Sequence, residues 1–596
     1  MMREGLARAA VDVDRRPDGT ILLRSPEPLG ACDRAVGEWL EYWARTTPDR
    51  SFLLERLDGV WRGTTYAEAR DRVRRLATWL LQNAPAKGPV AILSDNSVEQ
   101  GLLTLAGMHV GIPVAPVSPA YSTQSRDFAK LKTIISLIEP AVVYVSDPAR
   151  YRPALEAIRP LHHGIEASPR SFERLPAADE ATVEARFRAI GPDTIAKLLF
   201  TSGSTGEPKG VINTQGMLCS NQQARIQTWP FLRDEPPVIV DWLPWSHTFG
   251  GNHNFSMVLR NGGTLYIDAG RPVPPLFSHT VANLRDVAST IHFNVPRGYD
   301  MLVAALDADA ALRETFFSRI RIVFYAAAAL PPHLWDALRR LARESTDRDI
   351  ITTSAWGSTE TAPLAADCHW QADRSGVIGL PAPGTELKLV PSGAKLEVRV
   401  RGANVTPGYW KRPELAAALW DEEGYYRIGD AMRFADPDRP ECGLVFDGRV
   451  AEDFKLDTGT WVSVGVLRVK AIAALAPVAQ DIVVAGHDRS EVGFLVFPNV
   501  AACRALVPSL PPDAPLDLVL GSDPVRARVR EGLVGLRNES SGSSGHANRA
   551  LLLVEPPSID RGEITDKAYL NQRAVLSFRE GLVRELYSDS RAVITI

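Results

Sequence analysis

Between residues 36 and 325 the chain alternates short apolar runs with longer amphipathic stretches, and that alternation restricts it to one class of fold. Val36, Trp39, Leu40 and Trp43 fall at i, i+3, i+4 and i+7 and predict an amphipathic helix that Pro48 ends. Thr65 with Glu68 has the spacing of a capping box, and Val73, Leu76, Ala77, Leu80 and Leu81 continue it as one apolar stripe up to Pro85. Val90–Leu93 reads as a buried strand, Val98–His109 as a helix and 112–117 as the next strand. Further strands are expected at 141–145, 196–200, 238–243, 264–267, 290–295 and 320–325. Repetition of strand and helix describes an α/β protein, parallel sheets with helices on their faces. Ligands of such sheets sit beyond the carboxyl ends of the strands, so the loops that follow these runs are where chemistry is expected.

From about 379 to 447 the pattern changes to short strands and turns, with 387–390 and 396–400 joined by Pro391-Ser392-Gly393, and reads as a β-rich subdomain. After Gly448 a smaller mixed α/β segment follows, with a last helix near 576–586 and surface loops at 508–515 and 540–545. The expected domains are therefore 1–447 and 448–596. A chain of 596 residues, 45% hydrophobic and 23% charged, is long enough for more than one core. Its net charge of −4, from 67 basic and 71 acidic residues, favours neither nucleic acid nor an anionic membrane, so a small-molecule partner is expected. Five scattered cysteines without a C-x-x-C pair suggest a reducing cytoplasm. Residues 1–16 carry charges throughout and lack the apolar core of an export leader, and the longest apolar stretch, 101–117, is broken by His109, Gly111 and Pro113. A soluble cytoplasmic protein is the expectation; the chain selects no oligomeric state, a homodimer being the one weighed.

The segment Thr201-Ser202-Gly203-Ser204-Thr205-Gly206-Glu207-Pro208-Lys209-Gly210 follows the apolar run 196–200 directly. Glycines let backbone N–H groups approach an anion, Thr201, Ser204 and Thr205 donate hydrogen bonds, and Lys209 adds a positive charge: a loop suited to phosphate. It is not the P-loop, which needs a glycine where Pro208 sits and a hydroxyl where Gly210 sits. Four more segments follow in order: Trp356-Gly357-Ser358-Thr359-Glu360; Tyr426-Arg427-Ile428-Gly429-Asp430; Gly448-Arg449 with Asp453 and Lys455; and 556–567, ending Gly562-Glu563-Ile564-Thr565-Asp566-Lys567. An aromatic-rich stretch at 242–252 carries His247.

This series resembles the acyl-adenylate-forming superfamily, which includes acyl-CoA synthetases, luciferases and the adenylation domains of peptide synthetases. The resemblance implies a large N-terminal AMP-binding and acyl-binding domain of α/β sheets, a small mobile α+β C-terminal domain, and ATP, Mg²⁺ and coenzyme A as reactants. It places Thr201 to Gly206 and Lys209 around phosphate and Trp356 on adenine beside Gly357. Thr359 would meet the α-phosphate, Glu360 would hold Mg²⁺, Asp430 the ribose hydroxyls, and Arg449 ribose or phosphate. Lys567 becomes the adenylation lysine, with Arg561 the nearest basic alternative, and the loop at 325–330 lies beside the base. His247 becomes a gate or carboxylate contact in the acyl segment, or else a structural hydrogen-bonder. Ile428, Ala451 at the hinge position and Glu563 depart from the usual pattern; they leave open a homologue that binds nucleotide without catalysis. The stretches 242–268, 290–299 and 562–573 are similar to bacterial feruloyl-CoA synthetases, which implies an aromatic hydroxycinnamate. A medium- or long-chain fatty acid, delivered to coenzyme A or a carrier, is the alternative.

Overall fold

The structure, a computed structural model, describes residues 5–84, 88–202, 207–348, 350–540, 542–565 and 570–596, with Ser202 in its backbone alone. Contacts group these residues into two units: 1–391, 398–428 and 434–445 form the first, and 392–397, 429–433 and 446–596 the second.

The first unit forms its helices where local chemistry asks for them. In Tyr66–Asn83 the Thr65 hydroxyl accepts the Glu68 N–H and the Glu68 carboxylate accepts the Thr65 N–H, closing the capping box. Val73, Leu76, Ala77 and Leu80 are buried along its inner stripe. The helix Val98–His109 keeps its expected bounds, and eleven of its twelve residues are buried. It packs on Ser51–Leu57 from one side and on Val114–Val117 and Ile195–Ser202 from the other, so the longest apolar stretch is apolar all round because it lies between two sheets.

The predicted strands divide among three sheets. Ile195–Ser202, Val114–Val117, Val90–Leu93, Val142–Val145 and Ile165–Ala167 run parallel in that order, with Pro208–Thr214 antiparallel at the edge beside Ile195–Ser202. Val238–Asp241, Thr264–Ile267 and Ser51–Leu57 are parallel, with Val60–Thr65 returning antiparallel. Ile291–Asn294, Ile322–Tyr325 and Ile351–Gly357 are parallel and continue into the antiparallel Leu364–Asp367 and Val377–Pro381. Val238–Asp241 stops short of the expected end because the Asp241 carboxylate turns back to accept the Leu243 N–H at 3.1 Å.

In the second unit Ala479–Ala485, Gly493–Pro498, Arg549–Leu552 and Ile594–Thr595 form one sheet. Ile482 and Val484 face one core cluster while Val483 and Ala485 face another, the period-2 signature of a sheet covered on both sides. Val464–Ala474 packs on this sheet and on Asp523–Glu539. The expected last helix is instead two, Gln572–Phe578 and Glu580–Leu586, because Arg579 leaves helical geometry between them. Its guanidinium turns inward to hold both oxygens of Glu563 at 2.7 Å and the carbonyls of Glu555 and Pro556. Glu563 is fully buried, so the glutamate after Gly562 has a structural partner of its own.

Among the described residues no helix is long and apolar enough to cross a membrane.

Candidate functional site

The phosphate-type segment is a hairpin. Thr201 and Ser202 end one strand and Pro208, Lys209 and Gly210 begin the next, with Lys209 directly opposite Thr201 and Pro208 opposite Ser202. The loop is thus shorter than the ten residues read from sequence, because ladder pairing extends to both of its ends. Gly203, Ser204, Thr205 and Gly206 lie outside the described residues, as does Lys567.

Lys209 leads to a residue that no sequence motif flagged. Its ammonium sits 5.3 Å from the centre of the Tyr409 ring, and the Tyr409 hydroxyl donates to Glu360 Oε1 at 3.2 Å. Tyr409 also shares a hydrogen bond with the Tyr426 side chain. Burial, then the Glu360 carboxylate, push the Tyr409 phenol well above its ordinary value, so it stays a donor. One aromatic ring thus connects the lysine of the first motif, the glutamate of the second and the tyrosine of the third. A Gly-Tyr-Trp triplet ending a turn-rich stretch, 403–410, was the signal available for it.

The segment holding Tyr409 is laced to its neighbours through the backbone. Trp410 N–H donates to Gly210 O at 2.8 Å, Ile212 N–H to Gly408 O at 3.1 Å, and Thr406 N–H to Glu360 O at 2.8 Å.

Trp356 and Gly357 end the strand Ile351–Gly357; Trp356 is largely buried, and a Cβ on Gly357 would meet the Pro363 carbonyl oxygen at 1.6 Å. Next, Ser358 caps the short turn Thr359–Thr361, its hydroxyl accepting the Glu360 N–H at 3.2 Å while Thr361 Oγ1 accepts the Ser358 N–H at 2.8 Å. Ala362 follows at φ 66°, a left-handed conformation that an alanine adopts only under constraint. The constraint is visible: Asn221 and Asn404 both donate to the carbonyls of Thr361 and Leu364, and Asn221 Oδ1 accepts the Leu364 N–H at 3.0 Å. The loop at 325–330 carries a second such alanine, Ala327 at φ 78°, where a glycine would sit without strain.

His247 caps the π-helix Thr248–Asn254, its Nδ1 accepting the Phe249 N–H at 3.3 Å. All seven residues of this helix are buried. Gly250 and Gly251 let it lie against the preceding loop, since a Cβ on either would meet the carbonyls of Leu243 or Trp245 within 2.4 Å. A buried polar chain runs through its end. Arg225, ion-paired with Asp367 at 2.7 Å, donates to His253 Nε2; His253 Nδ1 meets Asn254 Oδ1; and Asn254 Nδ2 donates to Asp241. Burial, then Arg225, push His253 down to about 3, so the ring is neutral and the direction of each hydrogen bond follows. Burial raises Asp241 to about 7.

In the second unit the structure brings Asp430 and Arg449 together at 3.4 Å, the carboxylate mostly buried and the guanidinium mostly exposed. Gly448, at φ 86°, lets the chain pass Lys395, which pairs with Asp453; Asp453 in turn accepts the Val464 N–H that opens Val464–Ala474. Ala451 lies in the turn between the strands Leu444–Arg449 and Phe454–Lys455.

Among the described residues no three metal-binding side chains cluster. Glu360, linked to Lys209 through Tyr409, still fits a hard cation that arrives with phosphate oxygens, since Mg²⁺ is commonly held by one or two carboxylates plus its substrate.

Several known proteins are similar to the chain. The carboxylic acid reductase of Mycobacterium tuberculosis is 26% identical over 504 residues, covering 74% of this chain and 40% of that protein. A feruloyl-CoA synthase from Amycolatopsis is 28% identical over 410 residues, 67% of this chain and 76% of that one. The adenylation domain of a carboxylate reductase from Mycobacterium chelonae matches in structure with a TM-score of 0.70 at 23% identity, covering 94% of this chain and 92% of it. The fold is therefore that of adenylate-forming enzymes. The family described as AMP-binding enzyme matches residues 40–410, more than half of the sequence, and the chain belongs to it.

Proposed function

We propose that the protein is an ATP-dependent acid–thiol ligase that converts an aromatic carboxylic acid, a hydroxycinnamate such as ferulate, to its acyl adenylate and then to its coenzyme A thioester. The single observation that supports this most is the Lys209–Tyr409–Glu360 cluster at the hairpin end, which joins through one ring a cation and a carboxylate of the kinds that bind a metal-shielded triphosphate.

A carboxylate is a poor electrophile at neutral pH. In the first half-reaction its oxygen forms a bond to the α-phosphorus while the bond to pyrophosphate breaks; in the second a thiol bonds the acyl carbon and AMP departs. Thr201, Ser202, Gly203, Ser204, Thr205, Gly206 and Lys209 hold the phosphates, Trp356 and Gly357 bound the adenine, and Thr359 donates to the α-phosphate. Asp430 takes the ribose hydroxyls, with Arg449 beside it, and Lys567 stabilises charge at the attacking carboxylate. Glu360 would hold Mg²⁺, which supplies neutralisation of phosphate charge. The π-helix capped by His247, with Phe249 within it and Trp242 and Trp245 in the loop that precedes it, forms the acid's side. Kinship with the feruloyl-CoA synthase supports the aromatic choice.

The test is ATP–pyrophosphate exchange and AMP release with ferulate, coumarate, benzoate, octanoate and palmitate. Ferulate or coumarate should give the highest kcat/KM; a preference for palmitate overturns the aromatic assignment, and ADP instead of AMP overturns the reaction. Lys567→Ala should abolish exchange and spare thioester formation from supplied acyl adenylate.

A further inference from the structure

One buried lysine has no counter-ion among the described residues. Lys197 sits within Ile195–Ser202, almost fully buried, and its ammonium donates to the Gly251 carbonyl of the π-helix at 2.7 Å. Its register partner on the neighbouring strand is Asn213, whose Oδ1 accepts from Asn252 Nδ2 at 2.6 Å. Two directly opposed side chains on one face of the hairpin thus hold two consecutive residues of the π-helix. Gln222, from the helix Gln215–Thr228 that follows the hairpin, donates to the carbonyls of Asn252 and His253 at 3.3 Å each. A π-helix has poor intrinsic stability and persists where outside groups take its carbonyls, and here residues 251, 252 and 253 are each taken.

The same two strands carry Thr201 opposite Lys209. Lys197 precedes Thr201 by four residues and Asn213 follows Lys209 by four, so strand alternation puts both pairs on one face, about 13 Å apart at 3.3 Å per residue. One end of a rigid hairpin meets the phosphate side and the other holds the wall assigned to the acid.

We infer that Lys197 is a positioning residue for the acid substrate: with Asn213 it fixes the π-helix to the strands that bear Thr201 and Lys209, and so sets the reach between acid and phosphate. This rests on the proposed ligase reading. Lys197 touches neither substrate in this assignment and acts through the Gly251 carbonyl.

Lys197→Met keeps length and apolar bulk and removes the donor. The KM for the best acid of the panel should rise about tenfold while the KM for ATP stays within about twofold. Amide hydrogen exchange at 249–254 should accelerate, with 90–93 unchanged. Gln222→Leu should shift both readouts in the same direction by a smaller factor, and it keeps the test open should Lys197→Met fold poorly. An equal rise in both KM values, or unchanged exchange at 249–254, overturns the inference. If the wild-type chain forms no AMP with any acid, the ligase reading falls and the exchange measurement decides the Lys197 contact by itself.

Discussion

The turn at Glu360 and the π-helix at Thr248–Asn254 both combine local caps with distant anchors, in different proportions. The turn is tied first to itself, Ser358 and Thr361 exchanging hydrogen bonds with backbone three residues away or nearer. The π-helix is tied by residues 28 to 54 positions distant: Arg225, Gln222, Asn213 and Lys197. Local capping makes a site that a short motif can specify; remote anchoring makes one that depends on the whole sheet having formed.

The largest expected effect strikes the remote scheme. Arg225 has no exposed side-chain surface, pairs with the equally buried Asp367 and stacks 4.0 Å from the centre of Trp229. Arg225→Met leaves the Asp367 carboxylate without its cation and should lower the unfolding free energy by about 3–5 kcal/mol in urea titration. Adding Asp367→Leu should recover much of that loss. A single substitution costing under about 1 kcal/mol would mean that the π-helix does not depend on its distant partners.

How much of each region was legible follows from the same contrast. Val98–His109 and Thr264–Ile267 were readable to the residue because apolar periodicity and caps are properties of neighbours. The distribution of strands over three sheets was not, since runs such as Ile322–Tyr325 and Val90–Leu93 are alike apolar and fully buried and carry no label for their partners. The hairpin Ser51–Thr65 was missed because its second strand, with Arg62 and Gly63, is half exposed and shows no apolar alternation. Trp356 and Glu360 stood out through the resemblance of their segment to a family motif, whereas Tyr409 gains its role only once the 404–410 segment docks on Gly210 and Ile212. Lys197 did leave a trace, a lysine inside the apolar run of 195–200, but a sequence does not show that both faces of that strand are covered.

An effect of opposite sign comes from the charge of that lysine. Burial pushes Lys197 from an ordinary 10.5 down to about 7. Below pH 7 it is protonated folded and unfolded alike, and the folded protein bears the full desolvation penalty. Between about 7 and 10.5 only the unfolded chain binds the proton, so rising pH relieves that penalty. Lys197→Met removes it at every pH. The variant's stability relative to wild type should therefore be most favourable near pH 6–7 and decline by up to about 1.4 kcal/mol per pH unit toward pH 10. A flat difference across that window would show that the amine is solvated and the strut loose.

The smallest effect tests whether the Glu360 turn is as self-sufficient as its caps suggest. Tyr409, 49 residues away, is the remote support that reaches its carboxylate, and Tyr409→Phe deletes only the hydroxyl that meets Glu360 while leaving the ring beneath Lys209. Ser358, Asn221 and Asn404 still hold the backbone in that variant, so the carboxylate keeps its place and loses one neutral donor, worth about 1 kcal/mol. The expectation is a fall of about fivefold in kcat/KM for ATP, with the KM for the acid unchanged. A fall of more than about a hundredfold would place Tyr409 among the groups that orient the glutamate, and the turn would then join the π-helix as a structure held from afar.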